Sequence, residues 1–537
     1  MSAGSLVVVD ALSRRMLVLY ALVAAGLSTF PYWLGGTYNA RLSEHRGHYL
    51  VPVHDQVETP AIVRPRHSVV VVLDGVGIED AKRLRSLERI REHGQCLVTD
   101  VGPISVSRPV YAVLSTGTEQ DRTGARSNMV GEPLAAESIW QVASESGLSV
   151  HAVSELDWWR ELFPLGFTTY RKLPASRDYF AEPLQADLTL IHPVYVDDAG
   201  HASGAASPHF AESLARVDGE LAGLVGRMDF TQDLLVVTAD HGHSLTGGHG
   251  GRQPRVANVL TCYAGRGVRA SADVGHMDAT TVAPSVALLM GLRFPRHMRA
   301  TDDNLDILWR LANPIAFPSG YLQERAQAVE HFRRGNRSQL ARWLSGTEDP
   351  TWHAMYTAGY QRQGVGVTSV VLVVLALVAA LARWRRRHAG WRGALFSTSW
   401  VLGVCALSVV LEVMARGSFD LTAINEREGF VRVTAAIGMT SCAVGVALHL
   451  AFHRRARLLL TDLGVLMVMW LLLNLGHPAV FGWSVGFPLP APELIFFPLF
   501  ASILMWCVCV TALLVAVVLI LRPTRDERAA REVARGG

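Results

Sequence analysis

The sequence predicts an α/β protein of two parts: a doubly wound sheet domain and an α-helical transmembrane bundle, with six spans in total. Three observations predict it. Half of the 537 residues are hydrophobic and the mean hydropathy is +0.23, which excludes an ordinary soluble enzyme, a disordered chain and a collagen-like fibre. The apolar surplus is concentrated in long runs at 16–40 and beyond Arg362. Between them the composition is that of a soluble domain, with short β-branched runs alternating with helix-like segments, the pattern of a doubly wound sheet.

Taken in order, residues 16–40 hold no Asp, Glu, Lys or Arg and follow Arg14 and Arg15. That stretch crosses ~30 Å of hydrocarbon as a helix. It lacks a small-x-small cleavage site and ends in Phe30, Pro31, Tyr32 and Trp33, which suit a membrane interface, so we read 1–40 as a cytoplasmic stub and uncleaved anchor. Residues 41–318 form the sheet domain, with strands expected at 68–73, 188–194, 233–238 and 258–263. Residues 319–362 read as a polar helical connector. Five more spans fall in 363–521, near 363–382, 393–411, 433–452, 458–476 and 494–521, before a tail at 522–537. Arginines mark every second boundary: Arg14 and Arg15; Arg383, Arg385, Arg386, Arg387 and Arg392; Arg454, Arg455 and Arg457; and the tail from Arg522. By the positive-inside rule both termini are cytoplasmic and the sheet domain is periplasmic or lumenal, with outer loops at 412–432 and 477–493.

Charge excludes one class of partner. Only 18% of residues are charged and the net charge is +3, too small for a nucleic-acid coat. Of the six cysteines, Cys405, Cys442, Cys507 and Cys509 sit in very apolar stretches, and no CxxC pair offers a thiolate zinc site. Whether Cys96 and Cys262 pair is open at this level.

Chemistry gathers at strand ends. Asp74 follows the run SVVVVL and precedes Gly75, at the edge where open α/β sheets bind ligands. Asp240 and His241 follow LLVVTA, with His249 nine residues after Asp240 in a Gly-rich loop. Asp197 and His201 follow a third strand-like run. Singly, each reads more simply as a turn or cap. Together they supply enough oxygen and nitrogen donors for two divalent ions, zinc foremost and manganese the other candidate. The segment 102–117 adds two hydroxyls, Ser105 and Ser107, near a helix start.

This set resembles the alkaline phosphatase superfamily, and within it the GPI ethanolamine phosphate transferases and the nucleotide pyrophosphatase/phosphodiesterase relatives, over most of 68–300. Its motifs are Asp74-Gly75; Ser105 four residues before Pro109 in a segment ending Ser115-Thr116-Gly117; Asp197 to His201; and Asp240-His241-Gly242 followed by His249. The stretch 157–164 (DWWRELFP) and the run TGGHGG are similar to the transferase branch, and 278–291, beginning at Asp278, resembles the helix that closes the superfamily's core. The resemblance implies an alkaline-phosphatase-like sheet in which Asp74, Ser105, Asp240 and His241 hold one metal and Asp197, His201 and His249 the other. It further implies that Ser105 attacks and that Asn128 helps to bind phosphate oxygens. The implied activity is transfer of a phosphoethanolamine-like headgroup from a phospholipid donor to a lipid or glycan hydroxyl through a phospho-serine. The alternative is a membrane-anchored phosphodiesterase, nucleotide pyrophosphatase or phosphatase that uses water as acceptor. Serine stands where this branch has threonine, and five C-terminal spans are fewer than the eukaryotic transferases carry. A transporter is disfavoured, because Glu412, His449 and Asp462 lie near span ends, where snorkelling explains them.

Overall fold

The computed structural model describes residues 3–43, 59–129, 131–271, 275–299, 302–344, 350–416, 427–453, 456–481 and 492–521. Arg454, Arg455, the tail from Arg522 and much of both expected outer loops lie outside the described residues.

Eight strands make one mixed sheet: β1 Ser68–Leu73, β2 Gly94–Asp100, β3 Val150–Ser154, β4 Thr169–Lys172, β5 Leu188–His192, β6 Leu234–Ala239, β7 Asn258–Gly265 and β8 Gly275–Asp278, in the order β4-β3-β5-β1-β6-β7-β2-β8. The strand pairs are parallel except that β7 runs antiparallel to both β6 and β2. Sequence alternation located β1, β5, β6 and β7. β1 and β6 are buried at every position, as continuous Val/Leu runs covered on both faces should be. The register matters most at their ends: Leu73 is opposite Ala239, so Asp74 and Asp240 leave the sheet side by side. β5 lies on the other side of β1, with Ile191 opposite Val71. Three adjacent parallel strands therefore deliver their following residues to one crevice. Cys96 and Cys262 are direct partners across β2 and β7 and form a disulfide.

Helices α1 (Ala3–Ser43), α2 (Ser107–Thr116), α3 (Tyr195–Ser203), α4 (Tyr321–Leu344), α5 (Pro350–Arg416), α6 (Arg427–His453), α7 (Ala456–Phe481) and α8 (Pro492–Leu521) complete what the site and bundle require. The expected connector is helical over α4 and the start of α5. Among the described residues five stretches are long and apolar enough to cross a membrane, Arg14–Leu34, Gly390–Ala415, Glu428–Phe452, Leu458–Gly476 and Phe497–Leu521. The sixth expected span, 363–382, is represented only by the shorter apolar stretch Leu372–Trp384, which α5 joins to the next span through a kink at Gly390 (φ 69°).

Snorkelling does not describe the polar groups of the bundle. Glu412, His449 and Asp462 have no exposed surface. Asp462 Oδ2 accepts from Ser397 Oγ at 3.1 Å and lies 2.9 Å from His449 Nε2, tying α5, α6 and α7 together, while Thr434 Oγ1 lies 3.4 Å from Glu412 Oε1. Polar groups that would be costly in hydrocarbon are here turned onto one another.

Candidate metal centre

Asp74 is the first residue beyond β1. Gly75 follows with φ +78°, and a Cβ there would sit 2.7 Å from Asp197 Cα, so this turn admits only glycine. One Asp74 oxygen is anchored: Oδ2 accepts from Tyr111 Oη at 2.6 Å and lies 3.0 Å from His192 Nε2, whose other nitrogen is 2.9 Å from Ser154 Oγ. Tyr111 is itself held by Trp159, stacked with ring centroids 4.2 Å apart. Asp240 is anchored likewise, with Oδ1 accepting from the Gly75 and His241 backbone N–H groups at 3.2 and 2.9 Å.

The second oxygen of each carboxylate faces a common point. Asp74 Oδ1 lies 3.5 Å and Asp240 Oδ2 3.2 Å from His241 Nε2, and Ser107 Oγ is 3.3 Å from the same nitrogen. Neither oxygen has a hydrogen-bond partner among the described residues, although Asp74 and Asp240 are fully buried. Two buried carboxylates left in this way are costly without a cation between them. Burial, reinforced by the charges of Asp74 and Asp197, pushes the Asp240 carboxyl well above the usual carboxylate range. The donor set fits one divalent ion, and Asp74, Asp240 and His241 can all approach it.

A second cluster surrounds Asp197 on α3. Its Oδ1 lies 2.6 Å from His243 Nε2 and its Oδ2 3.3 Å from His201 Nε2. His249 Nε2 is 3.1 Å from His201 Nε2, and His249 Nδ1 donates to the Ser105 carbonyl at 2.9 Å, which leaves the Nε2 lone pair facing the cluster. Burial alone would raise Asp197, but the hydrogen bonds of His201 and His243 outweigh it and hold the carboxyl well below its ordinary value. Burial drives His249 down to about 3 and His241 well below the usual imidazole range, so both rings are neutral and able to ligate an ion. The His241 and His249 rings stack at 3.7 Å, so the two clusters share a wall.

All six expected Asp and His residues meet here. Ser105 does not face them. Its hydroxyl donates to Gly251 O at 2.8 Å and accepts from Gly250 N at 3.1 Å, clamping the loop that carries His249. The hydroxyl at the cluster is that of Ser107, the first residue of α2, where the helix dipole favours negative charge. Asn128 lies beside it, with Oδ1 accepting from Arg108 N at 2.9 Å. Asp278 is a cap, bonded to Thr280 and Arg299, outside both clusters. In the stretch 157–164, Asp157 pairs with Arg160 and Lys172, and Trp159 is the plate beneath Tyr111.

Sequence reading missed His243, His192 and Tyr111. His243 stood two residues beyond His241 in the run DHGHS, a signal that was available; Tyr111 and His192 look like core residues until the fold folds them onto Asp74.

No protein-family model matches the chain. Among curated proteins, the catalytic subunits of GPI ethanolamine phosphate transferase 3 from Mus musculus and Homo sapiens are each 28% identical over 255 residues, 43% of this chain and 23% of theirs. Human GPI ethanolamine phosphate transferase 2 is 24% identical over 224 residues, 37% of this chain and 23% of its own. The match thus spans about a quarter of the length of these relatives, 23% in each case. Among solved structures, murine ectonucleotide pyrophosphatase/phosphodiesterase 5 superposes with a TM-score of 0.38 at 13% identity, covering 46% of this chain and 100% of that one. Alkaline phosphatase PafA superposes at 0.38 and 10% identity, covering 47% and 100%. The sequence relatives bear out the resemblance read from the motifs.

Proposed function

We propose that the chain is a membrane-embedded phosphotransferase that moves a phosphoethanolamine-like headgroup from a phospholipid donor to a lipid or glycan hydroxyl, with Ser107 as its nucleophile. The observation that carries this is the position of Ser107 Oγ, 3.3 Å from His241 Nε2 and beside the bare oxygens of Asp74 and Asp240. Asp74, Ser107, Asp240 and His241 would hold one divalent ion, and Asp197, His201 and His249 the other, zinc being the first candidate and manganese the second. When bound, the pair of ions lowers the pKa of the serine hydroxyl and offsets negative charge building on the phosphoryl oxygens.

Ser107 Oγ attacks the donor phosphorus, its proton passes to solvent, and the bond from phosphorus to the diacylglycerol oxygen breaks, that oxygen taking up a proton. The headgroup phosphate is then esterified to Ser107. An acceptor hydroxyl attacks the same phosphorus, loses its proton and restores the serine. Tyr111 and His192 hold Asp74 throughout, and the Asn128 amide, fixed through Oδ1 to the start of α2, is oriented beside the reacting phosphate.

Water in place of the acceptor hydroxyl makes the same residues a phosphodiesterase. The apolar helices favour the lipid-linked reading, since a single anchor suffices to hold an enzyme acting on soluble esters. In this reading residues 41–318 are the extracytoplasmic catalytic domain, 319–362 the connector and 363–521 the membrane domain, with both termini cytoplasmic. The test is incubation of the purified full chain with headgroup-labelled phosphatidylethanolamine and, separately, a soluble aryl phosphodiester. Label transferred to a lipid or glycan acceptor and lost in Ser107→Ala supports the transferase; release of free phosphoethanolamine alone would assign the hydrolase.

A further inference from the structure

An apolar cleft of about 620 Å³ opens in the membrane bundle between α5 and α7, with Tyr20 of α1 as its floor. On α5 it is lined by Leu377, Ala380, Leu381 and Trp384, a spacing that keeps them on one helix face. α7 presents Leu460, Gly464 and Val468 to it at intervals of four, again a single face. The Tyr20 hydroxyl is used within the wall, donating to Leu460 O at 2.8 Å. Gly464 keeps the cleft deep where it passes Tyr20: a Cβ there would already lie 3.7 Å from the tyrosine ring. The volume falls within the ~300–1,000 Å³ of small-molecule sites, and apart from Thr461 and the Tyr20 hydroxyl the lining is apolar.

Charge is confined to one end. Trp384, a residue suited to the interface, closes the α5 wall, with exposed Arg383 before it and exposed Arg387 one turn beyond on the same face. Arg14 and Arg15 of α1 lie five to six residues before Tyr20, about 8 Å along the axis, at the same end. No Asp or Glu occurs between residues 364 and 411 or between 11 and 40, and Asp462 of α7 is committed to His449 and Ser397. An apolar cleft with a basic rim complements an acyl chain that continues into an anionic headgroup.

We propose that this cleft binds one anionic phospholipid, with an acyl chain against Tyr20 and Gly464 and the phosphate at Arg383 and Arg387. The basic end is also the one that α1 reaches before its span rather than after it, so this lipid occupies the leaflet remote from the sheet domain. It is a resident of the bundle and not the headgroup donor.

The experiment uses the full chain in a mild detergent, exchanged with phosphatidylglycerol or phosphatidylcholine of identical chains and read by native mass spectrometry. One retained phosphatidylglycerol, with phosphatidylcholine lost at the same activation energy, is the expected result. Gly464→Leu, which fills the cleft, should abolish retention, and a second filling variant, Ala380→Trp, should do so independently if Gly464→Leu fails to fold. The double variant Arg383→Gln/Arg387→Gln should lose at least tenfold of the preference for phosphatidylglycerol. Equal retention of both lipids, retention untouched by the filling variants, or a dimer peak that the filling variants abolish would each overturn the proposal, the last by assigning the cleft to a second copy. Metal content of each variant is measured in parallel, so that a failure here is distinguishable from a failure of the phosphotransferase reading.

Discussion

His243 Nε2 lies 2.6 Å from Asp197 Oδ1 in a fully buried contact, and the chain is built to allow it. At Gly200, one turn beyond Asp197 on α3, a Cβ would stand 2.4 Å from the His243 ring. The glycine of the Asp-x-x-Gly-His run is therefore the space that the second imidazole requires. A separation of 2.6 Å is that of a hydrogen bond, so the His243 ring fixes the orientation of the Asp197 carboxylate. His243→Ala should weaken metal binding at this cluster about 10–100-fold, read as metal retained after dialysis against graded chelator. His243→Gln, which can still donate, should recover part of that loss. Gly200→Ala should cost about 1–3 kcal/mol in denaturant unfolding through overpacking, and an unchanged midpoint would show that the ring has room to move.

The two serines of the segment 102–117 separate by role. Ser105 bonds the loop at Gly250 and Gly251 while Ser107 Oγ stands beside His241, so in the proposed reaction Ser107→Ala should lower turnover by about 10³-fold or more, as loss of a nucleophile does. Ser105→Ala should keep the nucleophile and lose two hydrogen bonds, about 1–3 kcal/mol of stability, with turnover falling far less. Mass spectrometry of protein quenched during turnover should place the added phospho-headgroup on the peptide containing Ser107. Finding it on Ser105 instead would reverse the assignment.

Why Ser105 was the expectation is a matter of what a sequence can encode. Strand ends are legible because a buried β-branched run has a definite last residue, and Asp74 and Asp240 stand one step beyond it. The side on which a hydroxyl emerges between β2 and α2 is set by how many residues of extended chain precede the first helical turn, and a counted spacing to Pro109 does not measure that. Tyr111 and His192 were hidden for a related reason. Each lies in an apolar stretch, and only the fold brings them to Asp74, His192 through the β5-β1 pairing and Tyr111 through the packing of α2. The mixed sheet was likewise out of reach, since the antiparallel direction of β7 follows from a chain reversal at 240–257 that reads as an ordinary Gly-rich loop.

Metal affinity should depend on pH through the Asp240 carboxyl. His241 and His249 are already neutral across the physiological range, since burial lowers both, so they have no proton to surrender. Asp240 is pushed the other way and must lose its proton for the ion to bind. Affinity should therefore rise with pH and fall as pH drops through the raised Asp240 value, with protons released on binding. Calorimetric metal titrations in two buffers of different ionisation enthalpy check this. Asp240→Asn should remove most of the proton release along with most of the affinity. Proton release that survives in Asp240→Asn would locate the titrating group elsewhere.

Cys96 and Cys262 close a covalent link between neighbouring strands that are 166 residues apart in sequence. Cross-linking so long a loop restricts the unfolded chain, and the chain-entropy relation gives about 5 kcal/mol for loops of this size, an upper figure because β2 and β7 already pair. Cys96→Ala/Cys262→Ala should lower the stability of the sheet domain by about 2–5 kcal/mol. The bond also bears on which side of the membrane the domain occupies, because such links persist in oxidising compartments and not in a reduced cytosol. Alkylation of the denatured protein, trapped directly from cells, should then find four free thiols, Cys405, Cys442, Cys507 and Cys509, with two more appearing only after reduction. Six reactive thiols before reduction would place the domain on the reducing side and overturn the orientation argued from the arginines.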